Sequence, residues 1–392
     1  MEAAAGSTIR RGSWAVLGGL TLAVACLPEP TDPGGTTAVG TEVLTDVASE
    51  VVLPTLRRFE SDAAAVRDAA AAWVDGGSRD TVSAPLLAAH GVWEELEVMQ
   101  IGPAASSLTA RGGQDLRDEV YSWPTVNPCL VDQKTVQAAF DDPDFFQSHL
   151  VNAYGLDALA HLVFAPGDAN ACPPQVDINA AGTWDALGPD GVDAQRARYA
   201  LALSEGLVQA AGALVHAWEP QGGDFARLLA APGTDDSPYQ SETQALNAVF
   251  DGLFYLETVT KDRKLAEPLG LGDCSTDCAD RVEAGATGTS SEWIAANLAG
   301  FSTLFTGGQG TGLDDLLAER GHANLAERIA AHAATAHTLA LQLGPLQDAI
   351  ETHPEDALAL YDAVKAVTDD LKGDVATVLA LQLPSEAAGD AD

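Results

Sequence analysis

Asp157 and His161 are the residues whose types and spacing best suit a metal ion in this sequence. They lie four residues apart on one face of a predicted helix, and Glu97 on the preceding helix is placed to reach across, with His90 and Glu94 on a neighbouring stripe. Such carboxylate and imidazole groups suit a divalent ion. The alternative is structural, with Asp157 and His161 as an i,i+4 polar pair and Glu97 as an interhelical hydrogen-bond acceptor. We favour this alternative, because carboxylates occur near any histidine by chance in a chain this acidic.

The rest of the sequence contains no familiar catalytic motif. The zinc-protease pattern H-E-x-x-H, the serine elbow G-x-S-x-G and a phosphate-binding loop are absent. The glycine-rich stretch 307–312 has neither a preceding strand nor a following lysine, and we interpret it as an interhelical loop. These absences argue against a zinc protease of that type, an α/β-hydrolase and a P-loop protein.

The charge balance excludes further partners. The chain has 57 Asp and Glu residues against 20 Lys and Arg, a formal net charge of −37 at pH 7. A surface this negative repels phosphate backbones and anionic lipid headgroups, and we therefore expect no nucleic-acid partner. Aromatic residues make up only 6% and alanine is abundant, which favours helices over sheets.

The N-terminus resembles an export signal. A pair of arginines precedes an apolar run over 14–25, whose length fits a signal peptide and is too short to span a bilayer. The run ends in L-A-V-A-C at 22–26, which resembles the lipobox of bacterial lipoproteins. By that resemblance, residues 1–26 form a lipoprotein signal peptide and Cys26 is the lipid attachment site. The alternative is an ordinary secretory signal.

A lipid anchor at Cys26 implies an exported protein of the bacterial cell envelope, held to the membrane through the lipid. Residues 27–40 are rich in Pro, Gly and Thr and predict a flexible linker. The residue after the cysteine is Leu27 and not Asp, which by resemblance to lipoprotein sorting favours the outer membrane. We therefore expect a protein that faces the periplasm or the cell surface.

Four further cysteines remain once Cys26 is assigned to the lipid. An even number in an oxidising compartment predicts two disulfides. Of the three possible pairings, Cys129–Cys172 with Cys274–Cys278 is the simplest, because each pair falls in one half of the chain. The alternative for the C-x3-C pair is a metal site, although no second Cys or His cluster lies nearby.

Hydrophobic spacing predicts helices throughout the mature chain, joined by loops rich in Gly and Pro. The predicted helices cover 41–75, 81–101, 132–140, 145–164, 192–218, 241–264, 291–305, 313–319, 324–351 and 355–381. No convincing alternating strand pattern occurs. We therefore predict an all-α fold of two tandem helical bundles, the first over 41–232 and the second over 239–384.

Short motifs in a shared order resemble the imelysin family, which is M75 peptidase-like, and are closest to its branch of predicted lipoproteins. They are Trp93 and Glu97 before Gly102-Pro103, Ser122-Trp123-Pro124, the segment from Gly155 to Phe164, Lys264 with Pro268 and Gly270, and Asn297 with Gly300 and Gly307. The resemblance covers most of the mature chain. It implies two helical bundles related by a pseudo-repeat, in agreement with the hydrophobic pattern.

The resemblance also locates the family's metal motif, G-x-H-x-x-E, in this chain. Its glycine is Gly155, but the histidine position holds Asp157 and the glutamate position holds Ala160, so that the segment is G-L-D-A-L-A. Both ligands of the family motif are therefore replaced, which argues against metal-dependent peptidase activity. A bound ion would need the rearranged set of Glu97, Asp157 and His161.

Three functions are compatible with the sequence. The one we favour is a non-enzymatic, lipid-anchored envelope protein that binds a ligand between its bundles. By resemblance, its context is uptake of iron or another metal, with a divalent ion or iron as the candidate cofactor and an envelope transport protein as the candidate partner. The second is an M75-type metallopeptidase, which lacks a complete set of ligands and a general base here. The third is a purely structural or interaction lipoprotein.

Overall fold

The computed structural model describes residues 37–149, 151–272, 274–384 and 387. This part of the chain contains helices and no β-strand, which confirms the all-α prediction. The predicted signal peptide, Cys26 and the linker up to residue 36 lie outside the described residues.

Long core helices alternate with short connecting ones. The first half contains α1 (Ala38–Asp46), α2 (Leu53–Val74), α3 (Asp80–Glu97), α4 (Pro128–Gln137), α5 (Phe145–Ser148), α6 (Gly155–Phe164), α7 (Asp177–Ala180), α8 (Thr183–Trp218) and α9 (Phe225–Ala230). The second half contains α10 (Glu242–Leu253), α11 (Ser290–Thr306), α12 (Leu313–Glu319), α13 (Ala323–Leu343), α14 (Leu346–Thr352), α15 (Pro354–Asp370) and α16 (Ala376–Leu379). Wider π-helical segments are π1 (Val47–Val52), π2 (Leu256–Ala266) and π3 (Leu371–Val375). Turns of 3₁₀ helix cover Gly102–Ala104, Leu116–Glu119, Ala139–Asp141, Val151–Ala153 and Cys278–Arg281.

Five predicted helices are divided in the structure, among them 324–351, which forms α13 and α14, and 355–381, which forms α15, π3 and α16. The segment 41–75 forms α1, π1 and α2, and Pro54 lies in the first turn of α2, directly after the π-helical segment. The segment 145–164 is broken before α6, where Gly155 takes a left-handed backbone angle of φ 81°. The segment 241–264 divides into α10 and π2. Hydrophobic spacing predicts that these segments are helical but not where the backbone changes direction.

Two groups of helices share the core. Helix α2 packs against α3 and α8, and α6 packs against α8. In the second half, α13 packs against α11 and α15, and α15 packs against π2. Helix α11 also packs against α3, so the described helices belong to one compact unit. The predicted division into bundles over 41–232 and 239–384 stays a prediction.

Helix α8 is long and apolar enough to cross a membrane by length and composition alone. An 18-residue stretch of it has a mean hydropathy of 1.3, and 44% of that stretch is buried. The helix packs against α2, α4 and α6, and the non-helical backbone at Gly188 divides it near its start. These contacts are those of a core helix. No other helix in the described ranges meets the same criteria.

Two disulfides join the cysteines in the simplest predicted pairing. Cys129 in α4 bonds Cys172 in the loop before α7, and Cys274 bonds Cys278 in the loop between π2 and α11. The alternative of a metal site at the second pair is therefore wrong, because both sulfur atoms are already in a covalent bond.

Candidate functional site

Three buried carboxylates meet where α3 faces α11 and π2. Glu94 and Glu97 lie three residues apart on one face of α3, and Glu283 comes from the loop before α11. One oxygen atom of each lies within 4.8 Å of the others, and the side chains are at most 1% exposed. We call these three residues the carboxylate cluster. Like charges buried this close together need a compensating cation or a proton.

Lys264, on π2, supplies a cation. Its Nζ lies 3.0 Å from Glu97 Oε2 and 2.9 Å from Glu283 Oε2, and it donates a short hydrogen bond to Glu94 Oε2. The side chain of Lys264 is itself only 1% exposed. The ammonium group therefore contacts all three carboxylates at the position that a shared metal ion would take.

The carboxylate cluster does not fit a divalent metal ion while Lys264 is in place. A metal ion would need the same oxygen atoms that accept hydrogen bonds from the ammonium group, and two cations at that distance repel each other. The arrangement also leaves no open coordination position for water, which metal-dependent peptide hydrolysis requires. The cluster is therefore a charge-compensated polar core, and we derive no metal chemistry from it.

The carboxylates of the cluster differ in how readily they ionise. Burial, together with the neighbouring Glu283, raises the pKa of Glu94 well above its ordinary value. Burial also raises the pKa of Glu283 to about 7. Burial disfavours the charged form of Glu97 as well, but the charges of Lys264 and Arg117 hold its pKa below the ordinary value. The surrounding positive charges therefore favour the ionised form of Glu97, whereas burial favours the protonated forms of Glu94 and Glu283.

His90 lies beside the cluster, between two aromatic rings. Its ring stacks on Trp293 at 3.7 Å and meets the ring of Tyr121 edge-on at 5.3 Å. Burial and the charge of Lys264 lower the pKa of His90 well below its ordinary value, so the imidazole is neutral. Its Nε2 lies 3.5 Å from Glu94 Oε1, and neither atom has a hydrogen-bond partner. Two buried polar atoms, one on His90 and one on Glu94, therefore face each other beside the cluster.

Helix α11 forms the wall of the cluster that faces α3. Asn297 Nδ2 donates to the Glu94 carbonyl oxygen at 2.7 Å and to Glu94 Oε2 at 3.0 Å. Thr260 Oγ1, on π2, donates to Asn297 Oδ1 at 3.1 Å. At Gly300, about one turn further along α11, a Cβ atom would lie 2.3 Å from the Glu95 carbonyl oxygen. The absence of a side chain there lets α11 approach the α3 backbone closely enough for Asn297 to bond it.

A groove opens on another side of Glu97. Its main cavity has a volume of about 420 Å³, and the lining residues, which come from both halves of the chain, include Gln100, Thr109, Arg117, Tyr255 and Thr258. A neighbouring cavity of about 530 Å³ also has Gln100 and Thr109 in its lining, so the two lie side by side. We call this surface the Arg117 groove.

Arg117 and Tyr255 connect the Arg117 groove to the carboxylate cluster. The guanidinium group of Arg117 lies 3.7 Å from Glu97 Oε1, and its side chain is 28% exposed. The Tyr255 hydroxyl donates a short hydrogen bond to Glu97 Oε2. A ligand in the groove would therefore contact the two side chains that hold Glu97 in its ionised form.

Comparisons with known proteins give the family. The family model described as Imelysin matches residues 52–372. The chain belongs to the imelysin family. A search of curated proteins finds no match.

Two solved structures share the imelysin fold with this chain. An imelysin-like protein from Psychrobacter arcticus 273-4 aligns with a TM-score of 0.68 at 19% identity, covering 90% of this chain and 99% of that one. A protein described as an iron-regulated protein A precursor from Parabacteroides distasonis ATCC 8503 aligns with a TM-score of 0.66 at 16% identity, covering 90% and 98%. At these identities the likeness shows the fold alone.

In this imelysin the predicted ligand residues bind different partners. Asp157 Oδ2 accepts hydrogen bonds of 3.0 Å from both the amide and the hydroxyl of Ser122. His161 Nε2 lies 3.0 Å from Asp132 Oδ1. Of the predicted ligands, only Glu97 belongs to the carboxylate cluster, the group of potential ligands that comes together in the described ranges. Asp157 therefore stabilises the segment before the Trp-Pro turn, and His161 forms a pair with α4.

The other imelysin-like motif residues shape the helices around the cluster. Trp93 is 1% exposed, and its ring centroid lies 5.2 Å from that of Phe59. At Gly155, a Cβ atom would lie 2.5 Å from the Val120 carbonyl oxygen. Because glycine has no side chain, the start of α6 can lie this close to Val120. Pro268 lies in the turn that follows π2. These residues position α3, α6 and π2 without contacting a ligand site themselves.

Two parts of the site escaped the sequence analysis. Glu283 lies in an irregular loop, where no periodic pattern marks a residue as buried. The sequence singles out Lys264 as a motif residue only, and nothing in its neighbours indicates that three carboxylates surround it. No sequence signal could have linked these residues, because tertiary packing alone brings them together.

Proposed function

We propose that this imelysin-family protein is a non-enzymatic envelope lipoprotein that binds a ligand in the Arg117 groove and serves the uptake of iron or another metal. The observation that carries the proposal is the Lys264 ammonium group inside the carboxylate cluster. With this group in place, the cluster has no room for a catalytic metal ion among its carboxylates. The histidine and glutamate of the family motif are also replaced, by Asp157 and Ala160.

Two features support an envelope location. The lipobox-like sequence before Cys26 predicts export and a lipid anchor. The two disulfides are typical of proteins that fold in an oxidising compartment. An anchored protein with an open groove is suited to capture a small ligand at the membrane and to pass it to a transport partner.

Two indirect observations suggest iron as the ligand: the description of a protein with the same fold, and the net charge of this chain. One solved structure with the same fold is described as an iron-regulated protein A precursor. The strong negative charge of this chain also raises the local concentration of cations around it. A metal chelate in the groove is compatible with both observations, since it would not need the carboxylates that Lys264 already contacts.

Thermal unfolding with a panel of ligands tests the proposal. We expect iron, haem, copper, zinc or calcium to raise the Tm at saturating concentration, because a ligand that binds only the folded state stabilises it. Thr109→Trp, which fills the groove, should abolish the shift. Thr335→Trp, at an exposed position of α13, is the matched control and should preserve it.

Three results would contradict the proposal. A Tm that no ligand changes would leave a purely structural or interaction lipoprotein. Peptide cleavage that a chelator abolishes would identify an M75-type metallopeptidase instead, and a shift that survives Thr109→Trp would place the ligand outside the groove.

A further inference from the structure

We propose that the carboxylate cluster is a cation site that the chain fills with its own Lys264 ammonium group, and that removing this group lets the cluster bind a divalent metal ion through Glu94, Glu97 and Glu283. The inference concerns a site behind the Arg117 groove and does not depend on the groove ligand. It therefore goes beyond the proposed function and can fail separately from it.

The contacts of Lys264 are those of a bound cation. The Nζ atom lies within hydrogen-bond distance of one oxygen of each carboxylate, at 3.0 Å from Glu97 and 2.9 Å from Glu283, with Glu94 as the third partner. The ammonium group donates hydrogen bonds to Glu94 and Glu97, and Glu283 forms an ion pair with it. The three acids thus surround one positive charge, as ligands surround an ion.

The spacing of the oxygen atoms suits a metal ion once the ammonium group is absent. The three ligand atoms lie within 4.8 Å of one another. Oxygen ligands at about 2.0–2.5 Å from a common ion are separated by no more than about 5 Å. Carboxylate ligands favour Mg²⁺, Ca²⁺ and Mn²⁺, so we expect a hard divalent ion.

A buried histidine without a hydrogen-bond partner lies beside Glu94 at the edge of the cluster. His90 is 1% exposed, and its Nε2 has no hydrogen-bond partner while lying 3.5 Å from Glu94 Oε1. Glu97 Oε1 is also without a hydrogen-bond partner. The neutral imidazole nitrogen of His90 would gain a hydrogen-bond partner from a water molecule bound to the ion, and Glu97 Oε1, which has only the ion pair with Arg117, would gain one as well.

Titration with Mn²⁺, followed by the loss of the free-ion EPR signal, tests the inference on the full chain in detergent after removal of metals. We expect Lys264→Ala to bind one equivalent of Mn²⁺ at least about tenfold more tightly than the wild type, with a Tm that rises as Mn²⁺ is added. Lys264→Ala/Glu97→Gln should lose this gain. Lys365→Ala, which removes a lysine that pairs with Asp369 away from the cluster, should behave like the wild type.

A charge-matched variant keeps the inference testable if Lys264→Ala does not fold. Lys264→Gln/Glu94→Gln removes one positive and one negative charge together, and leaves Glu97 and Glu283 as ligands. We expect it to bind Mn²⁺ more tightly than the wild type, though less tightly than Lys264→Ala. No gain in this variant would overturn the inference. So would tight Mn²⁺ binding by the wild type that Glu97→Gln abolishes, because the ion would then share the cluster with Lys264.

Discussion

Asp157, which stands where the imelysin motif has its histidine, makes stability depend on pH. It is 8% exposed and accepts two hydrogen bonds from Ser122. Burial outweighs those hydrogen bonds and raises the pKa of Asp157 from 3.8 to about 6. The folded state therefore holds this proton more tightly than the unfolded chain does. Its contribution to stability is full below about pH 4 and is lost as the pH rises through about 6.

We expect Asp157→Asn to remove this pH dependence, because the asparagine stays neutral where the aspartate must ionise in a buried position. The free energy of unfolding of the wild type should fall relative to the variant by about 3 kcal/mol between about pH 4 and 7. Urea unfolding across that range measures the difference. Asp235→Asn, at an exposed position, should track the wild type at every pH. A difference between the wild type and Asp157→Asn that does not change with pH would contradict the role of burial.

At the scale of elements, the close contact of α3 with α11 carries the site. Both helices contribute buried side chains to it, and Asn297 bonds the α3 backbone directly. Two glycines allow a matched test of the contact. A Cβ atom at Gly300 would lie 2.3 Å from the Glu95 carbonyl oxygen, whereas a Cβ atom at Gly91 on α3 would meet nothing within 4 Å. Only the first position therefore depends on the absence of a side chain.

We expect Gly300→Ala to lower the free energy of unfolding by about 1–3 kcal/mol, because the methyl group forces the two helices apart. Gly91→Ala should raise it by about 0.5–1 kcal/mol, since alanine is the better helix former and has room there. Thermal or urea unfolding of the two variants measures both changes. Similar gains in both variants would mean that α11 can move away from α3 without cost.

The whole molecule carries a net charge of −37, and this charge has two possible roles. Self-repulsion of a folded body this acidic lowers its stability at low salt while keeping it soluble. A surface adapted to salt and a surface that collects cations both account for the composition. They differ in whether the identity of the cation matters, because screening depends on ionic strength alone.

We expect the Tm to rise as salt increases from roughly 20 mM to roughly 500 mM, with most of the change complete once the Debye length falls below about 10 Å. Sodium chloride and choline chloride should act alike at equal ionic strength, because screening is not specific to the ion. Differential scanning calorimetry in the two salts measures the effect. A rise in sodium chloride alone would indicate bound cations, and no rise in either would show that repulsion is negligible.

The helical class and the family could be predicted from the sequence, whereas the pairing of the cysteines was only the simplest of three. Helical spacing is a local property, and Phe59, Val66 and Trp73 show it before any tertiary contact is known. The order of the cysteines favours pairing within each half, which the structure confirms. The break before Gly155 was not predicted. The hydrophobic pattern carries no information about a left-handed backbone angle or about the close approach to the Val120 carbonyl group.

Only the tertiary structure decided what the polar residues do. Lys264 and Glu94 are 170 residues apart in sequence, and their contact depends on the packing of π2 against α3 and α11. Glu94 and Glu97 look equivalent along the helix, yet the pKa of Glu94 is raised well above its ordinary value and the pKa of Glu97 is lowered. The physical reason is that a pKa responds to burial and to charges through space. Neither burial nor the position of nearby charges can be predicted from the spacing of residues along the chain.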